Sequence, residues 1–181
     1  MRRFGGVFLV ATSLGLLAVP VAPRPPSHQA PGFHRIELGD FVVIALSDGV
    51  VDYPTRDLFP GASPGLIDSA LSAAGLRDPV GMSYSAFLID TGDKQVLIDT
   101  GTGGKLADSP LFKGAGRVPE NLRAAGYRPE QIDEIYITHL GPDHVGGLTV
   151  GSERAYPNAI VRAARREVAS FLEGGSARAA S

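Results

Sequence analysis

Apolar residues fall along this chain in short runs separated by turn pairs, and this punctuation predicts paired strands first and a strand-helix alternation afterwards. Residues 36–38 and 41–46 flank Gly39-Asp40, which predicts a β-hairpin. Residues 85–90 and 95–99, separated by Thr91-Gly92-Asp93-Lys94, predict a second hairpin. The almost unbroken apolar character of these strands predicts burial on both faces. Between the hairpins, Leu66, Ile67, Ala70, Leu71 and Ala74 form one helical stripe, with Ser63 placed to cap it, Pro64 in its first turn and Gly75 at its end. A further helix is predicted over 119–126, with Leu122 and Ala125 inward. Residues 134–138 then read as a strand, 158–162 as another, and 163–173 as a last helix that stops at Gly174-Gly175. This order predicts an α/β (α+β) fold in which helices cover a mixed sheet.

The two ends read differently from the middle. Residues 1–22 combine Arg2-Arg3, an uncharged run over 5–19 and a small-residue zone, the layout of a signal peptide. The run is shorter than the roughly 18–20 apolar residues of a spanning helix, so no stable membrane anchor is expected. The expected location is exported, periplasmic or extracellular. Residues 23–32 are a proline-rich arm, 33–175 a single partial domain, and 176–181 a small-residue tail expected to be disordered.

Composition narrows the chemistry. With 44% hydrophobic and 20% charged residues the chain is globular, and a net charge of −2, or −4 once Arg2 and Arg3 leave, predicts no nucleic-acid partner. The absence of cysteine excludes disulfides, thiol nucleophiles and Cys-ligated zinc. Any metal must be held by His and carboxylate.

Such residues cluster in Thr138-His139-Leu140-Gly141-Pro142-Asp143-His144-Val145-Gly146-Gly147, which places two imidazoles and a carboxylate at the end of a predicted strand. A loop leaving a strand can turn these donors toward a borderline cation such as zinc. Read alone, Asp143 equally suits the cap of a following helix, and a lone loop histidine is usually solvated or hydrogen-bonded. Upstream, Leu97-Ile98-Asp99-Thr100-Gly101 ends a strand with a carboxylate that either supports a metal ligand or makes a tight turn.

These segments resemble the metallo-β-lactamase-fold hydrolases, whose fingerprint is a strand ending in Asp-x-Gly followed by Thr-His-x-His-x-Asp-His-x-Gly-Gly. Within that superfamily the stretches LGDF, ALSDG, LIDTG, NLRAAGY, EIYITH, PDHVGGL and PNAIVRA are similar to methyl parathion hydrolase-like proteins, over about residues 33–172. The resemblance implies an αββα sandwich, here its N-terminal portion only, two divalent metals such as zinc, and a bridging hydroxide. It also implies hydrolysis of a small-molecule ester, lactone or organophosphate (phosphotriester) substrate. Carried over by position, His139 resembles a ligand of the first metal and Asp143 and His144 resemble ligands of the second. Asp99 resembles the supporting carboxylate, and Asp143 is placed as the catalytic residue as well.

Two positions depart from the pattern: the second histidine of the fingerprint falls at Gly141, and no His or Asp follows His144. Metal occupancy and activity of this chain alone are therefore expected to be low. The alternative is a non-catalytic remnant or binding protein of the same fold. Apolar strands without an opposing sheet predict self-association. Leu106, Leu111 and Phe112 are candidates for a pocket border, and Arg162, Arg165 and Arg166 for a solvated face.

Overall fold

Gly39, at φ +60°, reverses the chain between β1 (Phe33–Leu38) and β2 (Phe41–Tyr53), which pair antiparallel with Leu38 opposite Phe41. The structure is a computed structural model that describes residues 32–178. The predicted signal, nearly all of the arm and residues 179–181 lie outside the described residues. β2 pairs on its other side with β3 (Val80–Asp90), and β3 turns at Gly92, φ +86°, into β4 (Gln95–Ile98). β5 (Glu134–Ile137) and β8 (Ile160–Ala163) then add parallel to β4, so the sheet order is β1-β2-β3-β4-β5-β8. A small ribbon, β6 (Thr149–Val150) and β7 (Glu153–Arg154), stands apart. Six α-helices are described, besides two single 3-10 turns at Pro129–Gln131 and Gly146–Leu148: α1 (Thr55–Leu58), α2 (Pro64–Ala73), α3 (Gly103–Ala107), α4 (Val118–Ala124), α5 (Pro142–Val145) and α6 (Arg165–Arg178). None is long and apolar enough to cross a membrane among the described residues.

Alternation along each strand decides where the core sits. Ile44, Leu46, Ala86, Leu88, Leu97, Ile135 and Ile137 point to one face and pack with Val118, Leu122 and Ala125 of α4 and its C-cap, together with Ile132 and Tyr156. The opposite face carries the row Ala45, Phe87, Ile98, Tyr136, Arg162, each residue paired to the next across the sheet. Phe87 and Tyr136 there are each 43% exposed. The expected burial of the strands on both faces is thus not what forms: the helices of the described residues cover one face.

Local readings held in both hairpins and in α4, where Leu122 and Ala125 face inward as predicted. Other elements differ. Ser63 is the N-cap of α2 but makes no side-chain capping bond, and of the predicted stripe only Ile67 is buried while Leu66 is exposed. The strand predicted over 158–162 forms as β8 over 160–163. The last helix begins at Arg165 and continues through Gly174-Gly175, so the expected tail starts within it. Two glycines did not outweigh the helix around them, at a cost of roughly 1 kcal/mol each. Arg162 lies on β8 and not on a helical face; its Nε donates to Glu134 at 2.7 Å.

Candidate metal centre

The site begins where β4 ends. Asp99 follows the last residue of that strand with φ +59°, a left-handed conformation uncommon for a residue with a β-carbon, and only 6% exposed. Its amide donates to the Tyr136 carbonyl at 2.9 Å, extending the parallel pairing, and this turns the carboxylate toward the end of β5. There Oδ1 accepts the Thr138 amide at 2.9 Å and Oδ2 accepts the Thr138 hydroxyl at 2.7 Å. Oδ2 also meets His144 Nδ1 at 2.7 Å. Asp99 is therefore more than a turn residue: it ties the loop of His139 and His144 to the end of β4.

The loop itself is held by backbone contacts. Gly141 is the N-cap of α5, so Asp143 occupies the first turn without capping it, and His144 follows. The His144 carbonyl accepts both the amide and the hydroxyl of Thr100, each at 2.8 Å. The Gly147 amide donates to the Gly101 carbonyl at 3.1 Å. The two loops approach so closely that a β-carbon on Gly103 would strike the Gly146 carbonyl, one on Gly146 the Thr102 carbonyl, and one on Gly147 the Thr100 carbonyl. Glycine is required for this close approach.

Three predicted ligands come together. One donor atom from each of His139, Asp143 and His144 lies within 4.8 Å of the others. His144 Nε2 is 3.3 Å from Asp143 Oδ2, and the two imidazoles are 3.9 Å apart between ring centroids. Zinc and similar divalent ions take this donor chemistry. Gly141, between His139 and Asp143, offers no side chain, so this loop contributes these three donors and no fourth. Of the predicted pocket residues, Leu106 lines a cleft of about 460 Å³ with Leu140, Pro142, Val145 and Phe171. Phe112 instead packs edge-on against Tyr84.

Two residues that matter here were not singled out from the sequence. Asp48 sits at the bulge of β2 between Ser47 and Gly49, fully buried, and accepts the Thr102 amide and hydroxyl at 2.8 Å each and the Val118 amide at 3.1 Å. It thereby fixes the loop after Asp99 and the start of α4. The second is Tyr84, whose phenol is raised above its ordinary pKa by burial and further by the charge of Asp143. The only sequence signal for Asp48 is a carboxylate next to glycine inside an apolar run.

Residues 79–178 match the Metallo-beta-lactamase superfamily, and the chain belongs to it. It is a metallo-β-lactamase-fold member of a hydrolase family whose fold is a mixed sheet with helices. Among solved structures it is similar to hydrolase AbOPH, at 33% identity over 83% of this chain and 50% of that one, with a TM-score of 0.71. It is also similar to AidC, a dizinc quorum-quenching lactonase, at 27% identity over 78% of this chain and 47% of that one, with a TM-score of 0.68. A curated relative, exodeoxyribonuclease WalJ of Streptococcus pneumoniae serotype 2 (strain D39 / NCTC 7466), is 31% identical over 70 residues, 39% of this chain and 22% of WalJ. The chain thus spans about half the length of the two solved structures and less of WalJ.

Proposed function

We propose that this chain is a metal-dependent hydrolase of ester, lactone or phosphotriester bonds, similar to methyl parathion hydrolase. The observation that carries the reading is Asp99 beneath His144. With Nδ1 held by a buried carboxylate at 2.7 Å, the imidazole is fixed in the tautomer that presents Nε2 beside Asp143. Carboxylate, imidazole and metal in this order is how ligating histidines are oriented. A divalent ion held there supplies Lewis acidity toward a carbonyl or phosphoryl oxygen and acidifies water. His139 and His144 donate nitrogen, Asp143 donates oxygen and accepts a proton from an incoming water, and Thr138 keeps Asp99 oriented. The cleft beside Leu140 and Pro142 receives the apolar part of a small substrate.

AidC supports a lactone and AbOPH a related hydrolase reaction; the WalJ match raises a nucleic acid instead, against which the net charge of −2 argues. Export is proposed on residues 1–22 alone. Self-association is proposed through the outer face of the sheet, with a second copy as the occupant. A two-fold axis presents identical apolar faces to one another, and sheets stack face to face at about 10 Å.

Chromogenic ester, lactone and phosphotriester assays with added zinc, cobalt or manganese test the reading. Metal-dependent turnover that disappears in His144→Ala is expected. Metal-independent turnover, or none on all three substrates, favours the non-catalytic alternative.

A further inference from the structure

We infer that Asp48 is a positioning residue of the candidate metal centre, setting His144 from the bulge of β2 through Thr102 and Thr100. The inference rests on the proposed metal-dependent reading. Three sets of contacts carry it.

The first is how His144 is held. Its ring meets Asp99 Oδ2 through Nδ1 at 2.7 Å, and its carbonyl accepts the amide and the hydroxyl of Thr100 at 2.8 Å each. Asp99 therefore orients the imidazole, while Thr100 fixes the backbone that carries it. Partners that fix a ligand from behind are worth about 10- to 100-fold in metal affinity.

The second is that residues 100–102 have no slack against the turn after His144. The Gly101 carbonyl accepts the Gly147 amide at 3.1 Å. The Thr100 and Thr102 carbonyls fill the places that β-carbons on Gly147 and Gly146 would take. A shift of Thr102 is thus passed to His144 by direct contact.

The third is what fixes Thr102. Its amide and its hydroxyl both donate to Asp48 Oδ2 at 2.8 Å, and Oδ1 accepts the Val118 amide at 3.1 Å. Oδ1 also fills the place of a β-carbon on Gly101, whose φ is +74°. The bulge itself is tied to α4: the Asp48 carbonyl accepts the Arg117 amide at 3.1 Å, and the Asn121 side chain donates to the Ser47 carbonyl at 2.6 Å. Asp48 is fully buried and has no ion-pair partner among the described residues. A buried carboxylate is costly unless hydrogen bonds satisfy it, and here three donors from two segments do so. Both oxygens serve protein donors, so Asp48 acts through the segment that it holds and not on the ion.

The test measures Co²⁺ affinity and the visible Co²⁺ bands of the purified chain after chelation, with unfolding midpoints recorded in parallel. Asp48→Ala should weaken Co²⁺ binding by about 10-fold and shift the bands. Thr102→Val removes the hydroxyl donor but keeps the amide and the shape; it should weaken binding several-fold, and Thr102→Ser should restore it. Ile44→Ala is the structural control. It lies earlier on the same strand, in the core and paired to Arg35 and Leu88. It should lower the midpoint at least as far as Asp48→Ala and leave affinity and bands unchanged. Equal loss of affinity in Ile44→Ala and Asp48→Ala would overturn the inference, because lost stability would then account for both. So would unchanged affinity and bands in Asp48→Ala and Thr102→Val, and that result leaves the hydrolase reading standing. If Asp48→Ala does not fold, the Thr102 pair decides: no difference between Val and Ser overturns the inference. No Co²⁺ uptake by the unmodified chain overturns the inference and the hydrolase reading together.

Discussion

On one side of the six-stranded sheet, Ile44, Leu46, Leu88 and Leu97 are fully excluded from solvent beneath α4. On the other, Ile36, Phe87, Tyr136 and Ile160 keep 43–56% of their surface in water. Both sides are built from the same Val, Ile, Leu and Phe vocabulary, and both share one hydrogen-bonded ladder. The difference teaches that strand formation here follows from pairing and turn chemistry, while the stabilising energy is concentrated where a helix closes the face. Buried apolar surface contributes about 25 cal/mol per Å², and exposed residues contribute little of it.

The largest effect that sharpens this contrast is truncation on the covered face. Leu97→Ala or Leu88→Ala should cost about 2–5 kcal/mol in denaturant unfolding, whereas Phe87→Thr or Ile36→Thr should stay within about 0.5 kcal/mol. Equal costs on the two sides would mean that something covers the outer face in solution. A smaller effect is expected at the polar residue of the covered face. Asp48→Ala leaves the Thr102 amide and hydroxyl and the Val118 amide without their acceptor, and about 1–3 kcal/mol should be lost. Hydrogen exchange would locate that loss at 100–104 and at the start of α4.

On the bare face the expected readout is association and not stability. Light scattering should show self-association together with binding of a dye for apolar surface, and Phe87→Lys with Ile36→Lys should reduce both. A monomer that binds no dye before substitution would break the comparison.

The smallest effect concerns the polar end of the outer face. Glu134 accepts from Arg162 at 2.7 Å, from Lys94 at 2.6 Å and from the Tyr136 hydroxyl at 3.0 Å, which pulls its pKa from 4.5 to about 2. A lowered folded-state pKa stabilises the fold fully above the unfolded value, and this contribution is lost as pH falls from about 4.5 through about 2. Glu134→Gln should flatten the acid limb of an unfolding profile in that window and leave neutral-pH binding of metal unchanged.

What could be read from the sequence was local. Gly39-Asp40 and Thr91-Gly92-Asp93-Lys94 announce their hairpins because the turn residues adjoin the strands they join. His139, Asp143 and His144 were visible together because six consecutive residues contain all three. Asp48 was not, since its partners lie 54 and 70 positions away and the neighbouring Gly49 does not tell which amides it accepts. Coverage of one sheet face was also hidden, because a run such as Phe87-Leu88-Ile89 reads the same whether or not a second layer lies over it. Asp99 was legible as a carboxylate that closes a strand upstream of the histidine loop, but the left-handed turn that aims it at His144 was not.

The close seam between the Asp99 loop and the His144 loop has a genetic consequence. In a library of random single substitutions scored for loss of metal uptake, Gly103, Gly146 and Gly147 should score beside the ligands themselves, with alanine already sufficient, because each added methyl wedges one loop off the other. A map of such sensitive positions would outline a site larger than its donors, and its border would trace a contact made mostly of backbone, with the Thr100 hydroxyl as its side-chain member.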